Sequence, residues 1–179
     1  REQSEKKSEL YRFLKPLNTD FPYMIEIFSR KPSRFDLAEG SHLVPMHLVD
    51  EVSSLSAILL EDDYYHFMLA GKKIIDDVSI IDEYHLIPFK AKAWVELSER
   101  RSHGEVGLSK HIKKHRNDIF QMFSIMDLDR KVVLTGIVRR DMEKFLEALK
   151  YEAVDFRSMG LGSLDLTAVC KQLHTIYLS

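Results

Sequence analysis

The apolar residues of this chain change period part-way along it, and that change limits the available folds more than any single motif does. In residues 10–15, LYRFLK, Leu10, Arg12 and Leu14 alternate with Tyr11, Phe13 and Lys15. Period two is the signature of a strand. Residues 22–29, PYMIEIFS, are β-branched and aromatic and read as a largely buried strand. Pro16 to Asp20 supplies a turn between them, so the two form a hairpin. From about residue 85 the apolar spacing becomes helical and stays so to the end. Strands followed by helices define an α+β arrangement. The expectation is a small mixed or antiparallel sheet in the N-terminal third and a helical bundle in the C-terminal half. The corresponding division is residues 1–84 and 85–179.

Between these limits the punctuation is readable. Lys31 to Ser41 holds Pro32, Asp36 and Gly40 and reads as a loop. His42 to Val49 is a short strand weakened by Pro45. Residues 52–60, VSSLSAILL, fit a strand or a buried helix equally. Asp62 or Asp63 is placed to cap a helix through YYHFMLA, with Gly71 as its stop. Ile74-Ile75 and Val78 to Ile81 are short extended pieces. Pro88 suits the first turn of a helix that puts Phe89, Ala93, Trp94 and Leu97 on one side. Gly104 and Gly107 mark a loop, after which Ser109 caps a helix. That helix turns Ile112, Ile119, Phe120, Phe123 and Met126 inward and Lys113, Lys114, His115 and Arg116 outward. Residues 132–138 either extend it or form a link. Asp141 then caps a helix with Met142, Phe145, Leu146 and Leu149 on one face. Gly160 and Gly162 break the chain before a last helix capped by Ser163.

Composition removes several classes of function. The 179 residues carry a formal net charge of −2, with 30% charged residues. Such a balance exerts no global attraction on nucleic acid or anionic lipid, so binding of either needs a local patch. The single cysteine, Cys170, excludes an internal disulfide and a multi-cysteine zinc site. Its apolar neighbours at helical spacing read as packing, and the chain reads as cytoplasmic. No apolar run approaches the ~20 residues of a membrane helix, and no secretory signal is present. A polar start at Arg1 without a methionine reads as a piece of a longer chain.

Chemistry-bearing residues are few. The sequence has no Gly-rich phosphate loop, HExxH, CxxC or nucleophile elbow. His111 and His115 sit one helical turn apart, as a metal pair would. Lys110, Lys113, Lys114 and Arg116 surround them and repel a cation, which favours a solvated basic face. Glu26 interrupts an apolar strand; an edge strand with a wet face and a metal-facing carboxylate both account for it. Lys90, Lys92, Lys110, Lys113, Lys114 and Arg116 form a basic helical region that includes Asp118. It suits a solvated face, or the phosphates of a triphosphate or nucleic acid.

Three stretches then resemble one family. SSLSAILLEDDYYHFM, HLIPFKAKAWVELSERRSHG and KHIKKHRNDIFQMF, in this order, are similar to the later part of bacterial nucleotidyltransferase-like proteins of the abortive-infection or type IV toxin kind. Lys90-Ala91-Lys92-Ala93 matches that family's lysine helix, and Arg116-Asn117-Asp118 approximates its Arg-Asp pair. Glu26 matches its third metal carboxylate. The resemblance spans roughly residues 10–126. It implies Glu26 and Asp118 as catalytic residues, with Glu26 also a metal ligand. It further implies Lys90, Lys92, Lys110 and Arg116 as nucleotide-binding residues. The family's Gly-Ser loop and Asp-x-Asp pair are missing here. Asp62-Asp63 and Asp76-Asp77 are adjacent pairs, which on a strand face opposite ways and cannot clamp one metal.

The missing motifs would lie upstream of Arg1, in an intact parent. That parent would use Mg²⁺ and a nucleoside triphosphate, with tRNA or protein as acceptor and an antitoxin-like partner. The fragment alone would then be inactive, since two-metal transfer needs carboxylates that hold both ions. On this reading Glu26, Lys90 and Asp118 share one cleft, with Lys90 near a helix N-terminus. The alternative is a non-catalytic binding or interaction module that uses the basic face 110–116.

Overall fold

The computed structural model describes residues 12–14, 17–18, 20, 24–26 and 61–179. The expected strand at 42–49, the loop before it and the segment 52–60 lie outside these residues. The architecture is α+β, as the change of period predicts. Strand β1 (Arg12–Leu14) pairs antiparallel with β2 (Met24–Glu26), with Phe13 opposite Ile25. Helix α1 (Asp62–Ala70) leads into a second hairpin of β3 (Lys72–Ile75) and β4 (Val78–Ile81). Four helices follow: α2 (Glu83–Ser102), α3 (Ser109–Phe123), α4 (Gly136–Leu149) and α5 (Leu166–Tyr177). A 3₁₀ turn, Arg157–Met159, precedes α5. No helix among the described residues is long and apolar enough to cross a membrane.

The β3–β4 turn is two residues, Asp76 and Asp77, with φ of 48° and 63°. Positive φ at both positions is the geometry of a type I′ hairpin, where aspartate is among the few non-glycine residues tolerated. The adjacent acids are therefore a turn. At Gly71, after α1, only a glycine fits, since a Cβ there would sit 2.2 Å from Cγ of His85.

Helix α2 is the axis of the bundle. Ile87, Phe89, Ala91 and Ala93 are fully buried, and Trp94 and Leu97 nearly so. Its apolar residues do not form the single stripe read from the sequence: they wrap around the helix, because α1, α3 and α4 cover different sides of it. From α1, the Tyr64 ring packs on Phe89 at 5.1 Å and Phe67 on His85 at 4.7 Å. From α4, Phe145 meets Trp94 edge-on at 5.4 Å. The inward faces of α3 and α4 agree with expectation, with Ile119, Phe120, Met142, Phe145 and Leu149 fully buried. Each such side chain contributes roughly 1.5–3 kcal/mol of apolar burial.

Helix starts are where the sequence reading needs correction. Helix α2 begins at Glu83, capped by Asp82, whose side chain accepts from the backbone N–H of His85 at 2.9 Å. Pro88 thus lies inside the helix, beyond its first turn. A proline there removes the N–H that would bond the carbonyl of Tyr84. The Tyr177 hydroxyl from α5 donates to that carbonyl instead, at 2.8 Å in a buried position. Lys90 is consequently well inside the helix, away from the N-terminal dipole end. Helix α4 starts at Gly136, so Asp141 is an interior residue, and 131–135 form a link. Ser109 is the first helical residue and caps nothing; Asp165, not Ser163, caps α5 by accepting from Ala168 N–H at 2.9 Å. Asp63 does not cap its own helix. Its carboxylate accepts from Ile137 N–H at 3.0 Å and so caps α4.

Candidate functional site

Helices α2 and α3 pack side by side and carry all six basic residues singled out from the sequence, but the six divide into two groups. Lys110, Lys113 and Lys114 are exposed on the first turns of α3. Asn117 and Gln121 continue the same stripe at helical spacing. None of the three lysines has a carboxylate within 4 Å among the described residues. Arg101, exposed at the end of α2, lies one short loop away in the chain and is likewise without an ion pair there. Gly104 and Gly107, at φ of 96° and 83°, shape that loop.

The other basic residues are committed inward. Lys92 is 10% exposed and sits among three carboxylates: Glu96 at 2.7 Å, Asp141 at 3.6 Å and Glu61 at 3.9 Å. It also lies 5.3 Å above the ring of Tyr64, whose hydroxyl donates to Asp141 at 2.9 Å. Burial lowers the Lys92 pKa, but the Glu96 hydrogen bond and the surrounding acids outweigh it and raise the value overall. Burial, with Asp141 beside it, also pushes the Tyr64 phenol well up. Arg116 is buried and donates to Glu152 at 2.6 Å and to the carbonyl of Ala153 at 3.1 Å, tying α3 to the chain after α4. Lys90 donates to Asp118 at 2.9 Å across the α2–α3 seam. The six basic residues therefore do not act as one surface.

His115 and Arg116 correct the expected outward run on α3, since both are buried. Burial pulls the His115 pKa down to about 4, helped by Lys90 and opposed by Asp118. A buried histidine so disfavoured from protonation is a core residue. Among the described residues no group of three or more His, Cys, Asp or Glu is placed to hold a metal ion. Glu26 is placed by its backbone, opposite Arg12 in β1.

Two features were not singled out from the sequence. Asp82 is 3% exposed and accepts from both the backbone N–H and the ring Nδ1 side of His85, the latter at 2.6 Å. Arg130 reaches the same carboxylate at 3.3 Å and stacks over Tyr84 at 4.2 Å. Burial works to raise the Asp82 carboxyl, yet the His85 hydrogen bonds and the Arg130 charge hold it below the usual carboxylate range. In the sequence Asp82 stands three residues before His85, the spacing of a local N-cap, whereas Pro88 points to a later start. The second feature is a groove of about 660 Å³ between α4 and α5, lined by Leu146, Lys150, Cys170 and His174 among others. Burial raises the Cys170 thiol pKa, which disfavours the thiolate and a nucleophilic role.

Comparison with known proteins finds no matching family model, no matching curated protein and no matching solved structure.

Proposed function

We propose that this chain is a binding module for nucleic acid, which it holds by the phosphate backbone along the exposed lysine stripe of α3. One observation carries the reading. Lys110, Lys113 and Lys114 stand together on one helical surface without a neutralising carboxylate among the described residues, while Lys90, Lys92 and Arg116 each have one. Three like charges on adjacent turns repel each other. A polyanion relieves that repulsion. The amide N–H groups of Asn117, one turn further along the stripe, suit hydrogen bonding to sugar or phosphate oxygens, whereas Gln121 is tied to the Met159 carbonyl at 3.0 Å. With a net charge of −2 over the chain, the attraction is confined to this patch.

The test is fluorescence anisotropy with a labelled single-stranded RNA over a salt series. The log of affinity should fall linearly with log salt, and each lysine contributes about 0.7 to the slope. Replacing Lys110, Lys113 and Lys114 by Ala should flatten the slope by about 2. Lys171→Ala, on α5, should leave it unchanged. Equal salt dependence in the native and triple-substituted chains sinks the reading.

A second reading keeps one observation in its favour. The Lys90–Asp118 pair joins two residues that the resemblance to nucleotidyltransferase-like proteins assigns to one site. In that reading the chain is the later part of a transferase. Its Mg²⁺ would be held by carboxylates supplied mostly from outside this chain, and Lys90 would receive the outer phosphates. A Mg²⁺-dependent shift of ATP affinity on Lys90→Ala would favour it over the RNA-binding reading.

A further inference from the structure

The β3–β4 hairpin is folded but buries almost nothing. Ile74 is 67% exposed, Ile75 53%, Val78 44% and Ile80 39%. Leu69, at the end of α1, adds another exposed apolar residue at 45%. The two strands form a sheet of their own, with no third strand beside either among the described residues. A lone two-stranded hairpin is marginal in water, and a third strand with an apolar face is what makes such a unit stable. An exposed apolar strand edge is also a ready template for another strand. The unusual feature is the order of residues along β3 and its turn: Lys72, Lys73, Ile74, Ile75, Asp76, Asp77. Basic, apolar and acidic pairs follow one another. Read antiparallel to itself, this segment carries its basic end toward its acidic end, with Ile74 in the middle.

We propose that the outer edge of β3 pairs antiparallel with the same edge of a second copy of this chain, which gives a symmetric dimer with a four-stranded sheet. The register follows from hydrogen-bond parity. The turn has two residues, with Ile75 opposite Val78, so this flanking pair is hydrogen-bonded inside the hairpin. Alternation then turns the N–H and C=O of Lys72 and Ile74 outward. A two-fold axis at Ile74 sets it opposite Ile74 of the second copy. Lys72 then comes level with Asp76, the first turn residue just past the end of the strand, and the symmetry repeats the pair. Lys73, which reaches Asp82 at 3.7 Å within its own chain, falls beside Ile75 of the other copy. Opposite charges brought together across a strand junction stabilise it and like charges destabilise it. A shift of one residue breaks the parity, and an in-register parallel pairing sets lysine against lysine. A junction of two four-residue edges is small beside a standard interface, so the dimer is weak, with a dissociation constant on the order of 10–100 µM.

Sedimentation equilibrium of the full chain, from roughly 5 to 500 µM to bracket that constant, tests the proposal. Native protein should pass from monomer to dimer over this range. Lys72→Glu should be monomeric throughout, as should Asp76→Lys, while an equimolar mixture of the two should dimerise because the charges are again opposite. Asp76→Asn keeps a residue that tolerates positive φ, so the hairpin survives, yet it should weaken the dimer about 2- to 30-fold. Amide exchange supplies a second readout. Protection of Lys72 and Ile74 should grow with protein concentration. A native chain that stays monomeric overturns the proposal, and so does a dimer indifferent to Lys72→Glu. Protection of β3 independent of concentration overturns it too, since the edge is then covered by the chain itself.

Discussion

A histidine and a tyrosine show how single side chains reveal their surroundings. His115 sits on the buried side of α3, and burial, helped by the charge of Lys90, pulls its pKa down to about 4. In the unfolded chain a histidine titrates near 6.5. Between these values the unfolded state binds the extra proton, so stability rises with pH across that window and is fully present above it. The difference corresponds to roughly 2–3 kcal/mol lost on acidification from pH 7 to pH 4. His115→Gln should flatten this part of the stability profile, measured by urea denaturation at a series of pH values. A slope between pH 4 and 6.5 that survives the substitution would place the titrating group elsewhere. Tyr177 makes the other case. Its hydroxyl satisfies the Tyr84 carbonyl that Pro88 leaves without a helical partner. Tyr177→Phe should therefore cost about 1–3 kcal/mol, the penalty for a buried unsatisfied acceptor. In a Pro88→Ala background, the backbone N–H restored at that position can donate to the carbonyl, and the same substitution should cost clearly less. Equal costs in both backgrounds would separate the hydroxyl from the proline.

At the level of elements, α3 and α4 were legible because each has an inward face of its own. Ile119, Phe120 and Phe123 on α3, and Met142, Phe145 and Leu149 on α4, follow the helical period and are buried as read. The cap of α4 was not legible, for a physical reason. A cap is a hydrogen bond to a backbone N–H, and the donor's nearest oxygen need not be its neighbour in sequence. Helix α4 is capped from α1, by Asp63, 74 residues away. Gly136, which opens α4, has φ of 53°, and a Cβ there would meet the Asp63 carboxylate at 2.0 Å. No local pattern announces such a cap. Asp63→Ala should cost about 0.5–2 kcal/mol, as loss of a local N-cap does. Gly136→Ala should destabilise as well, through both the positive φ and the clash. Because the two substitutions act on one contact, their combined cost should fall short of the sum in a double-mutant cycle. The basic residues were legible in kind but not in direction. Periodicity placed Lys113 and Lys114 outward correctly, whereas Arg116 turns to Glu152 on a segment that only the tertiary fold brings near.

On the scale of the molecule, α2 decides what can stand alone. It contacts α1, α3 and α4, and its buried residues face all three. The switch of period near residue 85 marks where helices begin to dominate, and as a fold class that reading agrees with the structure. The core itself reaches further back. Tyr64 is completely buried and packs on Phe89, and Met68 is buried in the same core. Gly71 and Asp82 continue the connection, through the backbone bond from Asp82 N–H to the Gly71 carbonyl at 3.0 Å. A chain that starts at residue 85 would lose the α1 side of this core, the Asp82 cap of α2 and the Asp63 cap of α4 together. Removing Tyr64 alone from a packed core is comparable to the ~3–5 kcal/mol of an aromatic truncation. Typical domains are stable by only about 5–15 kcal/mol. The helical part 85–179 should therefore fail to fold cooperatively, while 61–179 should melt in one transition with strong helical circular dichroism. Both pieces retain the lysine stripe of α3, so they also separate charge from architecture in RNA binding. If phosphate contacts need only a local run of lysines, 85–179 should bind with the same salt slope as 61–179. If they need the stripe held on a folded α3, the shorter piece should bind more weakly and with a shallower slope. That second outcome is the one expected here, because Ile112, Ile119 and Phe120 fix the helix by packing into the core it shares with α2.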